Sequence, residues 1–336
     1  MSLLTSSEIR KLKTGEIFKA ILVVKTLVTR TDKNGRKYYE MTAMDSFGDI
    51  EAKIWSDAAW FDRSADDCDL TIPAEKLSEE KINNITGCTV GIDGKIAEYK
   101  RQVQYNFNKI TLLNQNTFIP SEYMPKSPVS SEILKERFEN LAGCCREEIR
   151  DFLYVLFDDE MMSEFFSWPA AVSNHHAYAN GLAEHTVSVA DCAKVQAEAL
   201  VRSGYDVDVD VVVAGALLHD IGKLRAYKMN TMPEITLEGA IIDHVALGYT
   251  MFEKLCEKYS LGERLKLQLA HIIISHHGLR EYGSPVVPET AEAMIVSAAD
   301  ELDFRMFCWH DSVKDMKENE EISNWNNATQ RRFWKK

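Results

Sequence analysis

Val211–Lys223 reads VVVAGALLHDIGK: eight apolar or small residues run directly into His219-Asp220, and Lys223 follows three positions later. The apolar run reads as a helix of the protein interior, yet it ends on a carboxylate beside an imidazole. Burying that pair is costly unless something positive neutralises it, and a metal ion is the simplest agent. Adjacent helical side chains diverge by about 100°, so the two can approach one ion from different directions. Lys223 lies roughly one turn further on, where its ammonium can reach a phosphate bound at the same place.

Eight of the nine histidines fall between His175 and His277, and the ordered set outward from this stretch is His185, His219-Asp220, His244, His276-His277 and Asp300. Asp300 again stands in an apolar helix, AMIVSAADELDF, and His185 follows Glu184 among Leu182, Val187 and Val189. Taken singly, a histidine on an apolar helix is usually a hydrogen-bonded core residue, and His175, His176 and His271 are read that way. Taken together, several buried polar groups on separate helices need a common partner. Seven imidazoles and carboxylates are enough to hold two divalent ions.

The totals are those of an ordinary folded chain: 336 residues, 45% hydrophobic and 27% charged. That length accommodates two domains, each with its own core. No apolar run approaches a bilayer span, and MSLLTSSEIRKLKTGE lacks the apolar core of a signal peptide, so a cytoplasmic location without membrane contact is expected. The seven cysteines form no CxxC pair, which indicates neither a disulfide framework nor a zinc knuckle. A formal charge of −13 argues against indiscriminate nucleic-acid binding through a basic surface, and leaves room for a local basic groove.

The N-terminal third reads as strands: Phe18–Val28, Lys37–Met44, Gly48–Trp55, Val90–Tyr99 and Gln102–Leu113, with a partly helical connection over Ser56–Thr86. Five short strands with that connection before the fourth predict a small Greek-key barrel of the OB type, with a generic β-sandwich as the alternative. Asn114–Ser131, with Pro120, Pro125 and Pro128, reads as a linker. Helices follow at Glu132–Leu141, Glu147–Phe157, Met161–Trp168, Gly181–Ser203, Val209–Asp220, Gly239–Tyr259, Leu261–His276 and Glu289–Phe307, with Gly278 as a helix stop. Glu318–Lys336 reads as a loose helix or docking tail. Its Asn326–Lys336 end, with Arg331-Arg332 and Lys335-Lys336, reads as solvated rather than as a second RNA contact.

The succession His185, His219-Asp220, Asp300 resembles the HD superfamily of metal-dependent phosphohydrolases, an all-helical fold. The fuller strings HHAYANGLAEHT, LLHDIGKL, HIIISHHG and GSPVVPETAEA are similar to the YhaM family of 3′→5′ exoribonucleases, in which an OB domain precedes the HD domain. The resemblance covers nearly the whole chain and is strongest between about Ala170 and Asp303. It implies a multidomain α+β chain: residues 1–14 a tail, 15–114 an OB domain that binds nucleic acid, 115–131 a linker, 132–310 an HD domain, and 311–336 a C-terminal helix or tail. It further implies that His185, His219, Asp220 and Asp300 hold a first metal. His244, His276 and His277 would hold a second, with Asp220 bridging and Lys223 matching the lysine of the HDxGK string. The implied activity is manganese-dependent removal of nucleotides from the 3′ end of single-stranded RNA, and often DNA, by two-metal activation of water. Asp220 and Lys223 are then the catalytic residues and nucleoside 5′-monophosphates the products. The ligand types alone also allow iron, cobalt or magnesium. Related cyclic-dinucleotide enzymes carry a GYP-containing string after the paired histidines. This chain has GLREYGSP there, which argues against cyclic-di-GMP as substrate.

For a strand-binding face the barrel offers Lys53, Trp55, Lys95, Arg101, Tyr105 and Phe107. Strand alternation predicts Lys53 with Trp55 on one face, and Tyr105, Phe107 and Lys109 on one face of their own strand. Two other functions compete. One is a phosphohydrolase of mononucleotides or small phosphate esters, its barrel a docking module. The other is a non-catalytic nucleic-acid-binding protein with a structural metal. Homo-oligomerisation is compatible with the sequence, but no heptad or apolar face declares it.

Overall fold

The computed structural model describes residues 2–65, 75–100, 102–172, 176–229, 233–314, 316 and 319–336. Two compact units divide the chain, one of residues 1–125 and one of 126–316 with 320–336. The boundary falls inside the expected linker. Its first half belongs to the barrel unit, where Met124 is buried and its carbonyl accepts from Ser46 Oγ at 3.2 Å.

The first unit runs α1 (Ser6–Arg10), β1 (Ile17–Thr31), β2 (Lys37–Asp45), β3 (Gly48–Ile54), β4 (Ala59–Asp62), β5 (Glu75–Lys76), α2 (Glu79–Asn83), β6 (Thr89–Tyr99), β7 (Gln102–Leu112) and α3 (Pro120–Tyr123). β1 pairs with β6 through Ile17–Val23 and with β2 through Val23–Thr31, and an irregularity between Val24 and Thr26 lets one long strand serve both neighbours. β2 pairs with β3 and β6 with β7, all antiparallel, and a parallel β3–β7 pairing closes the five into an OB-like barrel. Its interior is filled by Phe18, Leu22, Met41, Ile54, Ile92, Phe107 and Ile110, among others. Gly94 is required there: a Cβ would stand 2.3 Å from the Phe18 ring, which meets Phe107 edge-on.

Three sequence expectations are corrected in this unit. Residues 1–14 are no tail, because α1 carries Ile9 into the barrel core and Asp45 accepts from the Ser6 amide and hydroxyl at 2.6 and 2.5 Å. The 56–86 connection holds two short strands besides one short helix, and its residues 66–74 lie outside the described residues. Phe107 and Lys109 do not share a face. The β6–β7 register slips at Asn108, where Asp93 pairs with Lys109 and Gly94 with Phe107, so Phe107 and Ile110 both point inward.

The second unit runs α4 (Ser131–Gly143), α5 (Glu147–Leu156), α6 (Asp159–Phe165), α7 (Gly181–Arg202), α8 (Val209–Leu218), α9 (Lys223–Ala226), β8 (Tyr227–Met229), β9 (Pro233–Ile235), α10 (Leu237–Ile242), α11 (His244–Lys258), α12 (Glu263–Ser275) and α13 (Ala291–Val313). α8 is apolar all round and is buried from Val211 onward, as such a helix must be. It packs against α7, α12 and α13. Two expectations change here as well. The single helix over Gly239–Tyr259 is two, broken at Asp243, whose φ of 75° no helix tolerates. The terminal residues are no loose helix but a hydrogen-bonded hairpin, with Ile322 opposite Trp334 and Asn326 opposite Arg331. No helix among the described residues is long and apolar enough to cross a membrane.

Candidate functional site

The helical unit places its chemistry at helix ends. His219 caps the C-terminus of α8 with Asp220 beyond it, His276 caps α12, His244 opens α11, His185 lies in the second turn of α7, and Asp300 is midway along α13. A helix C-terminus leaves backbone carbonyls without intrahelical partners, and here the imidazoles use them. His219 Nδ1 donates to Ala216 O at 2.7 Å, and His276 Nδ1 to Ile273 O at 2.8 Å. His277 Nδ1 donates to Tyr282 O at 2.8 Å. His185 Nδ1 donates to Asp303 Oδ2 at 2.8 Å, and His244 Nδ1 faces Asp243 Oδ1 at 3.0 Å. A carbonyl or carboxylate can only accept, so each Nδ1 carries a proton, and in the neutral ring it is Nε2 that keeps the lone pair.

Four of those Nε2 atoms, of His185, His219, His244 and His276, converge on Asp220. Its Oδ2 lies 3.2 Å from His185 Nε2, 3.3 Å from His219 Nε2 and 2.5 Å from Lys223 Nζ. Its Oδ1 lies 3.5 Å from His244 Nε2 and 3.6 Å from His276 Nε2. Asp300 Oδ1 reaches His185 Nε2 at 3.2 Å. Every expected ligand is brought together: His185, His219 and Asp220 form one set of donor atoms able to hold an ion, and His244, His276 and His277 another.

The donor atoms fit a metal. His185 Nε2 and His219 Nε2 stand 3.2 Å apart, two lone pairs facing each other with both Nδ1 protons already committed. Asp220 Oδ1, His244 Nε2 and His276 Nε2 are buried with no hydrogen-bond partner. Such a cluster of orphaned acceptors is unstable in a low-dielectric interior without a cation between them. The electrostatics show the same deficit of positive charge. Burial opposes charge on His185, but among the protein's own groups the carboxylates of Asp220, Asp300 and Asp303 prevail and hold its imidazolium well above the usual histidine range, a proton standing where a metal ion would. Burial and the neighbouring His277 and His219 hold His276 well below that range, neutral and ready to donate.

One neighbour went unrecognised in the sequence, and a second, His176, stands as the hydrogen-bonded core residue expected. Asp303, three residues after Asp300 on the same face of α13, takes the His185 Nδ1 proton and also lies 3.1 Å from His176 Nε2. The i, i+3 spacing of two acids on one apolar helix was the available signal. His176 is a buried, hydrogen-bonded residue behind His185, tied to Tyr178 Oη at 2.7 Å, and Tyr178 in turn donates to Glu184 at 2.9 Å. His271 accepts from the Glu289 amide at 2.9 Å. His175 lies outside the described residues.

In the barrel unit the six expected strand contacts divide. Register pairing aligns Glu40, Lys53, Asn106 and Lys95 in one outward row across β2, β3, β7 and β6. Beside that row Trp55 stacks on Tyr38 at 5.0 Å, Lys53 Nζ lies 5.6 Å from both rings, and Trp55 Nε1 donates to Asn106 at 3.2 Å. Lys53, Trp55 and Lys95 thus share an outer face. Phe107 does not, being 1% exposed in the core. Tyr105 pairs with the buried Ala52 and Ile96, so it faces inward and packs on the core. Arg101 lies outside the described residues.

The HD domain family model matches residues 182–305, a span that contains every member of the cluster. The helical unit therefore carries an HD domain, which implies a metal-dependent phosphohydrolase. A chain of a replication protein A heterotrimer solved bound to single-stranded DNA is similar to this one at 13% identity, over 35% of this chain and 86% of that one, with a TM-score of 0.21. The barrel rests instead on its own strand pairing.

Proposed function

We propose that the protein is a 3′→5′ exonuclease of single-stranded RNA, with single-stranded DNA as a further substrate, releasing nucleoside 5′-monophosphates. The reading matches the YhaM-like strings and rests above all on Asp220, whose two oxygens face two separate histidine sets. His185, His219, Asp220 and Asp300 would hold one divalent ion, and His244, His276 and His277 with Asp220 the other, manganese suiting such a shell. Bound ions of this kind supply Lewis acidity that lowers the pKa of water and offsets charge on a phosphate.

The protein's own groups do the positioning. Lys223 is buried with one ammonium proton directed to Asp220. An ammonium has three such protons, and the others would hold the non-bridging oxygens of the scissile phosphate. Asp303, Asp243 and the backbone carbonyls keep each ring in the donor tautomer, so that no imidazole has to rearrange when a ligand binds. The Tyr38–Trp55 stack, with Lys53 and Lys95 in the adjoining row, supports binding of a single strand by base stacking and phosphate contact, without reading base edges.

The test is a 5′-labelled single-stranded RNA incubated with protein and Mn²⁺, and resolved on a sequencing gel. A ladder shortening from the 3′ end, absent with Asp220→Ala, is expected. Intact RNA with folded, metal-loaded protein would sink the reading.

A further inference from the structure

Residues 320–336 fold back on the end of α13. Ser323 N donates to Phe333 O at 2.8 Å, Asn326 N to Arg331 O at 2.8 Å, and Lys335 N to Glu321 O at 2.9 Å. Asn326 Nδ2 to Ser312 Oγ at 3.1 Å and Lys335 Nζ to Val313 O at 3.2 Å fasten the hairpin to that helix. Ser323 is buried and Phe333 half-buried, so strand alternation turns Arg332, Trp334 and Lys336 outward together. Trp334 is 58% exposed, and Lys336 Nζ lies 5.4 Å from its ring.

Residues 322–336 hold four cations and no acid in a chain of net charge −13, and Glu320 and Glu321 just before them still leave an excess of positive charge. An exposed tryptophan forgoes burial and a cluster of like charges repels itself. A ligand that is anionic and has π-faces relieves both at once. We propose that this hairpin is a second contact for single-stranded nucleic acid, additional to the barrel face: a base stacks on Trp334 while Arg332 and Lys336 meet the flanking phosphates. The inference rests on the strand-binding reading above. A lipid surface fits less well, since the outward apolar groups, Ile322, Trp325 and Trp334, are separated by the exposed Asn324, Asn327 and Arg332 and form no continuous apolar face. Val313 is thirteen residues along α13 from Asp300, about 20 Å, so only a strand of several nucleotides could engage both hairpin and metal cluster.

The experiment compares the full-length protein with its Arg332→Ala/Trp334→Ala/Lys336→Ala variant, using a fluorescein-labelled 20-nucleotide oligouridine in EDTA and reading anisotropy across a salt series. Turnover of bis(p-nitrophenyl) phosphate with Mn²⁺ is measured alongside. The triple variant is expected to bind about tenfold more weakly. Its slope of log affinity against log salt should shrink by roughly 1.4, two phosphate contacts at about 0.7 each. Turnover of the small ester should not change, and Trp334→Phe alone should keep most of the affinity. Equal affinity and slope in wild type and triple variant overturn the inference and leave the strand reading standing. No binding of oligouridine by wild type overturns both. Capture by phosphatidylserine vesicles tighter than by oligouridine, and lost in the triple variant, overturns it in favour of a lipid surface. If the triple variant does not fold, the salt slopes of Arg332→Ala and Lys336→Ala decide alone, each expected to fall by roughly 0.7.

Discussion

His185 shows how little of a ligand's behaviour belongs to the ligand itself. Its Nε2 faces Asp220, Asp300 and His219, but the direction of that lone pair is fixed by Asp303 on the opposite side of the ring. Removing that acceptor as Asp303→Ala should free the ring and the tautomer and weaken Mn²⁺ binding about 10–100-fold. Equilibrium dialysis with metal analysis measures it, and wild-type affinity would refute the positioning role. The ligands themselves were legible in the sequence because charged or polar groups inside apolar helices are an anomaly that demands a cation. Asp303 was not, because an acid one turn from another acid looks like an ordinary solvated helix face. Phe107 was misread for a different reason: alternation holds only while register holds, and nothing in NFNKI marks Asn108 as the extra residue. Trp55→Ala should therefore weaken oligonucleotide binding about 5–100-fold with little change in melting, whereas Phe107→Ala should cost about 3–5 kcal/mol of barrel stability. Thermal melts and anisotropy titrations of the two variants separate them, and the opposite pattern would reverse the inside-outside assignment.

Among the elements, the break between α10 and α11 does most to assemble the centre. An uninterrupted helix over Gly239–Tyr259 would carry His244 past the cluster at a helical angle. Instead Asp243 turns the chain at positive φ, accepts from the Val245 amide at 3.0 Å and starts α11 with His244 as its first residue. Periodicity could not reveal this, since an aspartate within an amphipathic pattern suits a helix surface equally well. The element is held from the other side by Gly222 of the HDIGK string, where a Cβ would lie 2.0 Å from His244 O and 2.4 Å from Gly248 N. Gly222→Ala should push α11 away from the end of α8, at about 1–3 kcal/mol, and lower the bound metal per chain. A variant that melts and loads metal like wild type would show that the close approach is not needed. The strand count of the barrel and the order of the helices were legible because hydrophobic period and turn residues encode them locally. The α1 plug was not, because its partner Asp45 lies far off in sequence, and the terminal hairpin was not, because its polar residues carry no strand alternation.

At the level of the whole molecule, each unit has its own core, and the two cores share no residue. Removing residues 1–125 should leave a folded helical unit that turns over a small phosphodiester within about twofold of the full chain and degrades long RNA poorly. Undiminished degradation of long RNA would assign the barrel another task. The division of Asp220 between two histidine sets also fixes a balance of charge. Asp220, Asp243, Asp300 and Asp303 against Lys223 leave the protein groups of the centre at minus three with the five imidazoles neutral, as metal ligands are. Two divalent ions, loaded as proposed, would carry it to plus one. A buried pocket of that sign is an anion trap between turnovers, so free phosphate should compete for it, and the departing mononucleotide, more anionic than the internal linkage it came from, would be slow to leave.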